Sequence, residues 1–433
     1  MIVLMIPTLT MGGGPTLLYR QVEWYLANGF EVDVITIYQG QVGLDLQKLG
    51  ARVHPIYFPF LKKAGSEDIN KFVRRTVNDF GSRASKVLFV ECVSSTMSLL
   101  GEHLAARWKV PCCALVLHPR GAFPGVEGGI SWKPFLESSD RRHSLFVMGN
   151  EVLASHNREY GLHLAARILP IAVESGDNRY VSNPNRHQIL SVGRLEHFKT
   201  YNLTMLDAIR ELRSEYPDIH YTIVGRGPMH QAIEEAVREK GLDANVALVD
   251  FVPYDHLVEL VPRFDIHVGM GTTVLDLGRY GLPSLLAIES DPKGRTYGQI
   301  YEAPRYCLGE VCDEEVPTTT LAQALRTFFQ STDRAAVSAR TFDHVRENHS
   351  MAKIMPKFIQ DMAAIGPPLE GTSIKMEGEL PDPKAVGDWK YRLLYRVYMS
   401  FDFTYYLFCK YFSFLLPPFN KIRRWVGMER ALF

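Results

Sequence analysis

A chain of 433 residues that is 46% hydrophobic and 22% charged carries enough apolar material for two or three domains, each with its own core. Forty-eight basic and forty-eight acidic residues cancel, which excludes attraction to nucleic acid through a global field and leaves anionic surfaces to local patches. Six cysteines (Cys92, Cys112, Cys113, Cys307, Cys312, Cys409) lack a CxxC pair or a His-rich spacing, the pattern of reduced cytosolic thiols, so no metal site is expected from them.

The chain opens on an apolar run, Met1 to Ile6, that meets Pro7 without a basic leader and reads as a buried strand rather than a signal segment. Further apolar runs follow at Val32 to Ile37, Val53 to Tyr57, Val87 to Val90, Cys112 to Leu117 and Leu145 to Met148, separated by longer amphipathic stretches. Strands alternating with helices predict βαβ units and a parallel sheet. The rhythm restarts at His187, with runs at Ile189 to Val192, Tyr221 to Val224, Val246 to Val249, Ile266 to Val268 and Ser284 to Ile288. The prediction is an α/β protein with two Rossmann-like doubly wound domains, residues 1–176 and 177–365, followed by a Gly/Pro-rich linker at 366–389 and an aromatic, basic tail at 390–433.

The first strand runs into Gly12-Gly13-Gly14-Pro15 and an amphipathic stretch from Thr16 to Leu26. Glycines at a strand-to-helix turn let backbone amides approach an anionic or hydroxylated ligand, and Pro15 suits the first helical turn. The spacing is not GxGxxG, and a purely structural turn accounts for it equally.

After the first strand of the second domain, Gly193-Arg194-Leu195-Glu196-His197-Phe198-Lys199 places two cations five residues apart, ahead of a helix expected near Tyr201. An Arg and a Lys at the carboxyl end of a strand can neutralise a diphosphate as it leaves, whereas two solvated surface cations would do nothing of the kind. Gly225-Arg226-Gly227-Pro228 and Asp250-Phe251-Val252-Pro253 close the next two strands and should share that rim. Gly269-Met270-Gly271-Thr272-Thr273-Val274-Leu275-Asp276 then leads from strand to helix, offering amides and hydroxyls to a phosphate. The structural alternative has Thr272 as an N-cap and Asp276 as a favourable acid in the first turn.

Gly193-Arg194-Leu195 with Lys199, Gly225 with Gly227-Pro228, and Gly271-Thr272-Thr273-Val274-Leu275-Asp276 followed by Gly281-Leu282-Pro283 resemble, in order and spacing, the retaining glycosyltransferases of family 4, of the GT-B fold. The glycine loop at Gly12 to Gly14 agrees, and the resemblance covers about residues 1–365. It implies two domains facing across a cleft and transfer of a sugar from a nucleoside-diphosphate sugar to a saccharide or lipid-linked saccharide, with no cofactor and no metal. By the same resemblance, Arg194 and Lys199 hold the diphosphate, Gly271, Thr272 and Thr273 lie beside phosphate and sugar, and Asp276 binds the ribose. Phe251 and Val252 frame the base, with Gly13, Gly14 and Gly225 contributing backbone.

Val116-Leu117-His118-Pro119-Arg120-Gly121 resembles the family's histidine-bearing loop, which would give His118 a sugar hydroxyl and Arg120 an acceptor phosphate. The family carries two glutamates eight residues apart. Here the second is Asp276, still a two-oxygen acceptor for a diol, and the first is Val268, which accepts nothing.

In the tail, fourteen aromatics stand among 44 residues, with eight Lys or Arg against Asp402 and Glu429. That excess of six positive charges suits a monotopic anchor at the cytoplasmic face of an anionic membrane, near Tyr405 to Trp425, while packing back on the N-terminal domain is the alternative. Arg396, Asp402 and Lys410 interrupt the apolar stretch and argue against a span. Two other functions fit parts of the pattern: a nucleotide-sugar 2-epimerase, which needs the same diphosphate contacts, and a silent nucleotide-sugar-binding subunit, motivated by Val268.

Overall fold

The computed structural model describes residues 1–10, 12–56, 66–118, 126–127, 130–312 and 315–368; side chains are described within these ranges except at 66–68, 126–127, 130–131 and 255. The described chain divides into two compact units. Among the described residues the first takes in those of Met1–Met148, Ser155–Leu169 and 357–368; the second takes in those of Gly149–Ala154 and Pro170–Pro356.

In chain order the first elements are β1 (Ile2–Thr8), α1 (Gly13–Ala27), β2 (Val32–Tyr38), α2 (Gln41–Leu49), β3 (Arg52–Pro55), α3 (Ser66–Phe80), β4 (Phe89–Val93), α4 (Ser95–Trp108) and β5 (Cys112–Val116). A short antiparallel pair, β6 (Val126–Glu127) and β7 (Ile130–Ser131), precedes α5 (Lys133–Arg141), β8 (Leu145–Val147), α6 (Asn150–Tyr160) and β9 (Arg167–Ile168). Seven of these strands form one sheet in the order β3-β2-β1-β4-β5-β8-β9, with every neighbouring pair parallel. Parallel strands covered on both faces need apolar residues at consecutive positions, and Ile2 to Ile6 are all buried, as are all five residues of β5.

The second unit continues with β10 (Gln188–Val192), α7 (Tyr201–Leu212), β11 (His220–Val224), α8 (His230–Glu239), β12 (Val246–Val249), β13 (Ile266–Gly269), α9 (Thr272–Gly278) and β14 (Ser284–Ala287). It ends with β15 (Arg295–Gln299), β16 (Thr319–Thr320), α10 (Leu321–Gln330), α11 (Arg334–Asn348) and α12 (Met351–Ala363). Its sheet runs β12-β11-β10-β13-β14-β15-β16; the first five strands are parallel and the last two are antiparallel additions. Both sheets reverse strand order beside their first strand, the doubly wound arrangement that leaves a crevice outside the strands' carboxyl ends.

Local chemistry fixes the helix ends. The side chain of Thr320 accepts from the Gln323 amide at 3.2 Å to start α10, and Asp333 accepts from the Ala336 amide at 2.9 Å to start α11. Helix α12 begins among residues of the second unit, and from Lys357 onward its residues belong to the first, with Pro356 at the changeover. There Phe358 packs edge-on against Phe89 (5.9 Å between centroids) and Phe146 (5.2 Å), filling the first unit's core.

The tail at 390–433, including the proposed anchor near Tyr405 to Trp425, and most of the linker lie outside the described residues. Among the described residues no helix is long and apolar enough to cross a membrane.

Candidate functional site

The loop leaving β10 is zipped to the loop leaving β11. The Gly193 amide donates to the Val224 carbonyl at 3.0 Å, Leu195 N–H to the Arg226 carbonyl at 2.9 Å, and Met229 N–H to the Leu195 carbonyl at 3.0 Å. The approach leaves no room for side chains: a Cβ on Gly225 would fall 1.9 Å from the Gly193 carbonyl oxygen, and one on Gly227 would fall 2.4 Å from that of Leu195. Gly225 and Gly227 therefore act by letting the two loops touch.

On this platform the side chain of Arg194 stands 58% exposed, paired with Glu196 at 3.1 Å. An exposed pair of this kind is weak and can be exchanged for a ligand. Lys199 folds back over the same loop, its Nζ 2.7 Å from where a Gly193 Cβ would stand. Burial, and then the charge of Arg194, push the Lys199 ammonium down to about 8 against a smaller opposing effect from Glu196. Two cations thus share one short loop, and the inner one gains charge stability when an anion arrives.

The rim is continued by loops that the sequence pattern did not single out. Ser290 N–H donates to the Phe198 carbonyl and Glu289 N–H to the Gly309 carbonyl, both at 2.8 Å, and Gly271 N–H donates to the Leu308 carbonyl at 2.6 Å. The Thr200 hydroxyl donates to the Asp291 carbonyl at 2.8 Å. Backbone bonds therefore connect the Arg194/Lys199 loop, through 289–291 and 308–309, to the turn at Gly271. These contacts are tertiary, and no local signal announces them.

At that turn Gly271 adopts φ 74°, the left-handed region natural to glycine, and is itself the N-cap of α9. Thr272 is the first helical residue, which removes the alternative that it caps the helix. Thr272 and Thr273 are half-buried, and the Thr273 hydroxyl reaches the Met270 carbonyl at 3.4 Å. Asp276, one turn on and 4% exposed, accepts from the Tyr254 hydroxyl at 3.0 Å. Tyr254 follows the Phe251-Val252-Pro253 segment and belongs with the site, although only its position beside that segment hinted at it. Phe251 is 61% exposed, whereas Val252 is half-buried against the cluster that includes Leu190, Val192 and Leu277.

Val268 lies in β13 with no exposed surface, packed in the core cluster with Ile189, Ile223 and Leu285. A carboxylate at this position would enter the core. On the opposite face of the same strand, His267 is fully buried and neither ring nitrogen has a hydrogen-bond partner among the described residues. Burial, and then the charge of Lys199, hold its ring down to about 3, so it is neutral at physiological pH. A Cβ on Gly269 would fall 2.6 Å from the His267 ring, so the glycine makes the space the imidazole occupies. An ionisable residue in the middle of a central strand was the available signal, and the apolar run around it concealed it.

In the first unit, Gly13 and Gly14 open α1 behind the N-cap Gly12. A Cβ on Gly13 would meet nothing within 4 Å, and one on Gly14 would make ordinary contacts with Leu117 (3.7 Å) and Ile6 (3.9 Å). Packing does not demand glycine at either position. His118, two residues beyond β5, is half-buried. Arg120 lies outside the described residues.

Residues 174–283 match the family model for glycosyl transferases, group 1. That span contains Arg194, Lys199, Phe251, Gly271 and Asp276. A comparison with curated protein sequences finds no match. In fold the chain is similar to Anabaena HepE, solved in complex with UDP (TM-score 0.62, 11% identity, covering 84% of this chain and 100% of that one). It is also similar to a glycosyltransferase from Rickettsia africae (0.60, 12%, 83% and 97%) and to the sucrose-phosphate synthase of Thermosynechococcus elongatus (0.56, 15%, 83% and 97%). The two Rossmann-like units are thus those of the GT-B fold class.

Proposed function

We propose that this chain is a nucleotide-sugar-dependent glycosyltransferase whose donor diphosphate is held by Arg194 and Lys199. The observation that carries this reading is the pairing of two cations on one strand-end loop, joined by backbone bonds to the Gly271 turn, within the span that matches the glycosyl transferases model. HepE was also solved with UDP and glucose and with UDP-glucose, ligands of the class such a rim would accept.

In this reading the diphosphate replaces Glu196 as partner of Arg194, and Lys199 meets it from the inner side. The Gly271 to Thr273 turn offers hydroxyls and backbone to phosphate and sugar. Asp276, which accepts from Tyr254, is a two-oxygen acceptor suited to a ribose diol, and exposed Phe251 with Val252 behind it would take the base. Gly13 and Gly14, where packing leaves glycine unexplained, bring backbone to the donor. His118 donates to a sugar hydroxyl, and Arg120 is assigned to an acceptor phosphate.

The reaction we assign is transfer with retention, as in family 4. The acceptor hydroxyl oxygen bonds to the anomeric carbon on the face from which the nucleoside diphosphate departs, and its proton passes to a donor phosphate oxygen. Arg194 and Lys199 stabilise the departing charge, so the reacting atoms need no metal or cofactor. The acceptor class is a saccharide or lipid-linked saccharide in polysaccharide or glycoconjugate synthesis, and the place of reaction is the cytoplasm, with the tail touching the membrane's cytoplasmic face. Five free cysteines among the described residues fit that compartment.

The second reading, a silent nucleotide-sugar-binding subunit, is favoured by one observation: the family's first glutamate is replaced by a core valine, Val268. Release of nucleoside diphosphate from candidate sugar donors, with and without saccharide acceptors, separates the two. Acceptor-dependent release supports the transferase. Donor binding without release under any acceptor supports the subunit.

A further inference from the structure

Away from the proposed chemistry, Cys307 and Cys312 bring their sulfurs to 3.8 Å. Oε1 of Glu151 lies 3.7 Å from the Cys312 sulfur. The Glu310 carbonyl oxygen lies 3.7 Å from the Cys307 sulfur and 3.8 Å from that of Cys312. The three side-chain donor atoms all fall within 4.8 Å of one another, the only such group of three among the described residues. Cys307 and Glu151 are buried, Cys312 is half-buried, and all belong to the second unit.

The sulfur–sulfur, Cys312–Glu151 and Glu310 carbonyl–sulfur separations are close to the edges of a metal-centred tetrahedron. With metal–sulfur bonds of about 2.3 Å and metal–oxygen bonds of about 2.0 to 2.2 Å, tetrahedral geometry sets sulfurs about 3.8 Å apart and sulfur to oxygen about 3.5 Å. A disulfide instead requires the sulfurs at about 2.05 Å. Two thiolates and a carboxylate favour a zinc-like ion over magnesium or calcium, which prefer oxygen shells.

We propose that Cys307, Cys312 and Glu151 bind a zinc-class divalent ion, with the Glu310 carbonyl beside the fourth position. The site does not rest on the glycosyltransferase reading, and it departs from the sequence expectation that the cysteines hold no metal. That expectation looked for cysteine and histidine spacings, whereas here the third ligand comes from α6, far upstream. The ion's work is structural. Cys307 and Cys312 bracket Leu308 and Gly309, whose carbonyls receive the amides of Gly271 and Glu289. A metal across this turn fixes the strip of backbone that seats the Gly271 turn.

The test uses the full-length reduced protein and Co(II) as the probe. The expected result is saturation at one equivalent, with thiolate-to-cobalt charge-transfer absorption that Zn(II) displaces. Cys312→Ser should abolish that absorption and Glu151→Gln should weaken binding at least tenfold. Cys92→Ser should leave the titration unchanged, although its sulfur lies 3.8 Å from that of Cys112 in the first unit. Because a variant could fail to fold, the unmodified zinc-loaded protein is also melted with and without a chelator. A fall in Tm that added Zn(II) restores supports the site. Absence of charge-transfer absorption from the reduced protein, or undiminished absorption in Cys312→Ser, overturns it.

Discussion

The Tyr254 hydroxyl donates to Oδ1 of Asp276 at 3.0 Å, tying the loop after β12 to the helix that carries the proposed ribose acceptor. A hydrogen bond to a carboxylate contributes about 1.5 to 3 kcal/mol. Tyr254→Phe should therefore lose stability of about that size in chemical denaturation and weaken nucleoside diphosphate binding. Unchanged stability and affinity would show that the bond orders nothing.

Lys199 should make donor binding pH-dependent. Its free ammonium titrates near 8, and a bound diphosphate raises that value, so binding takes up a proton above pH 8. Affinity should be flat from pH 6 to 7.5 and fall by up to about tenfold per pH unit above 8. Lys199→Met should bind more weakly and lose the slope. In the absence of ligand the sign reverses: the unfolded chain holds this proton up to the ordinary lysine range, so Lys199 makes stability rise with pH above 8.

Placing a glutamate at position 268, as in the family-4 pattern, should fail. Val268 faces the core, so Val268→Glu would bury a charge among Ile189, Ile223 and Leu285. The expected loss is about 3 kcal/mol or more, read as a fall in Tm, with no gain in transfer. A stable Val268→Glu protein with faster transfer would place this position in the donor site after all.

Glu91 sets a pH response in the first unit. Fully buried on β4, it accepts from Gln21 Nε2 at 3.0 Å and from the Tyr25 hydroxyl at 3.2 Å, and burial pushes its carboxyl up to about 7. The folded state holds its proton more tightly than the unfolded state, whose carboxyl titrates near 4.5. The resulting stability is present below that value and is lost as pH rises through 7. Glu91→Gln should be more stable than the parent at pH 8, by up to about 3 kcal/mol, and similar to it near pH 4.5. Parallel stability curves would remove Glu91 as the cause.

Much of the fold was legible because strands buried on both faces must be largely apolar at consecutive positions, as Ile2 to Ile6 are and as Ile189 to Val192 are except at Ser191. Strand β15, between β14 and the edge strand β16, was not, since Arg295-Thr296-Tyr297-Gly298-Gln299 lacks any apolar run. In the site, Arg194 and Lys199 stood out because charge at a strand end is conspicuous. Tyr254 and the loops at 289–291 and 308–309 act through tertiary bonds that leave no local pattern. Val268 was read through the resemblance's glutamate pair rather than through the strand around it, which is buried at every position and leaves no exposed place for a carboxylate.

Whether Arg194 and Lys199 hold a nucleoside diphosphate can be read by calorimetric titration with UDP, GDP and ADP. At least one of them should bind the unmodified protein, and Arg194→Ala should weaken that binding by about ten- to a hundredfold, the loss of one charge-assisted contact. Equal affinity in the unmodified protein and Arg194→Ala, or no binding of any of the three at millimolar concentration, would contradict that role for the two cations.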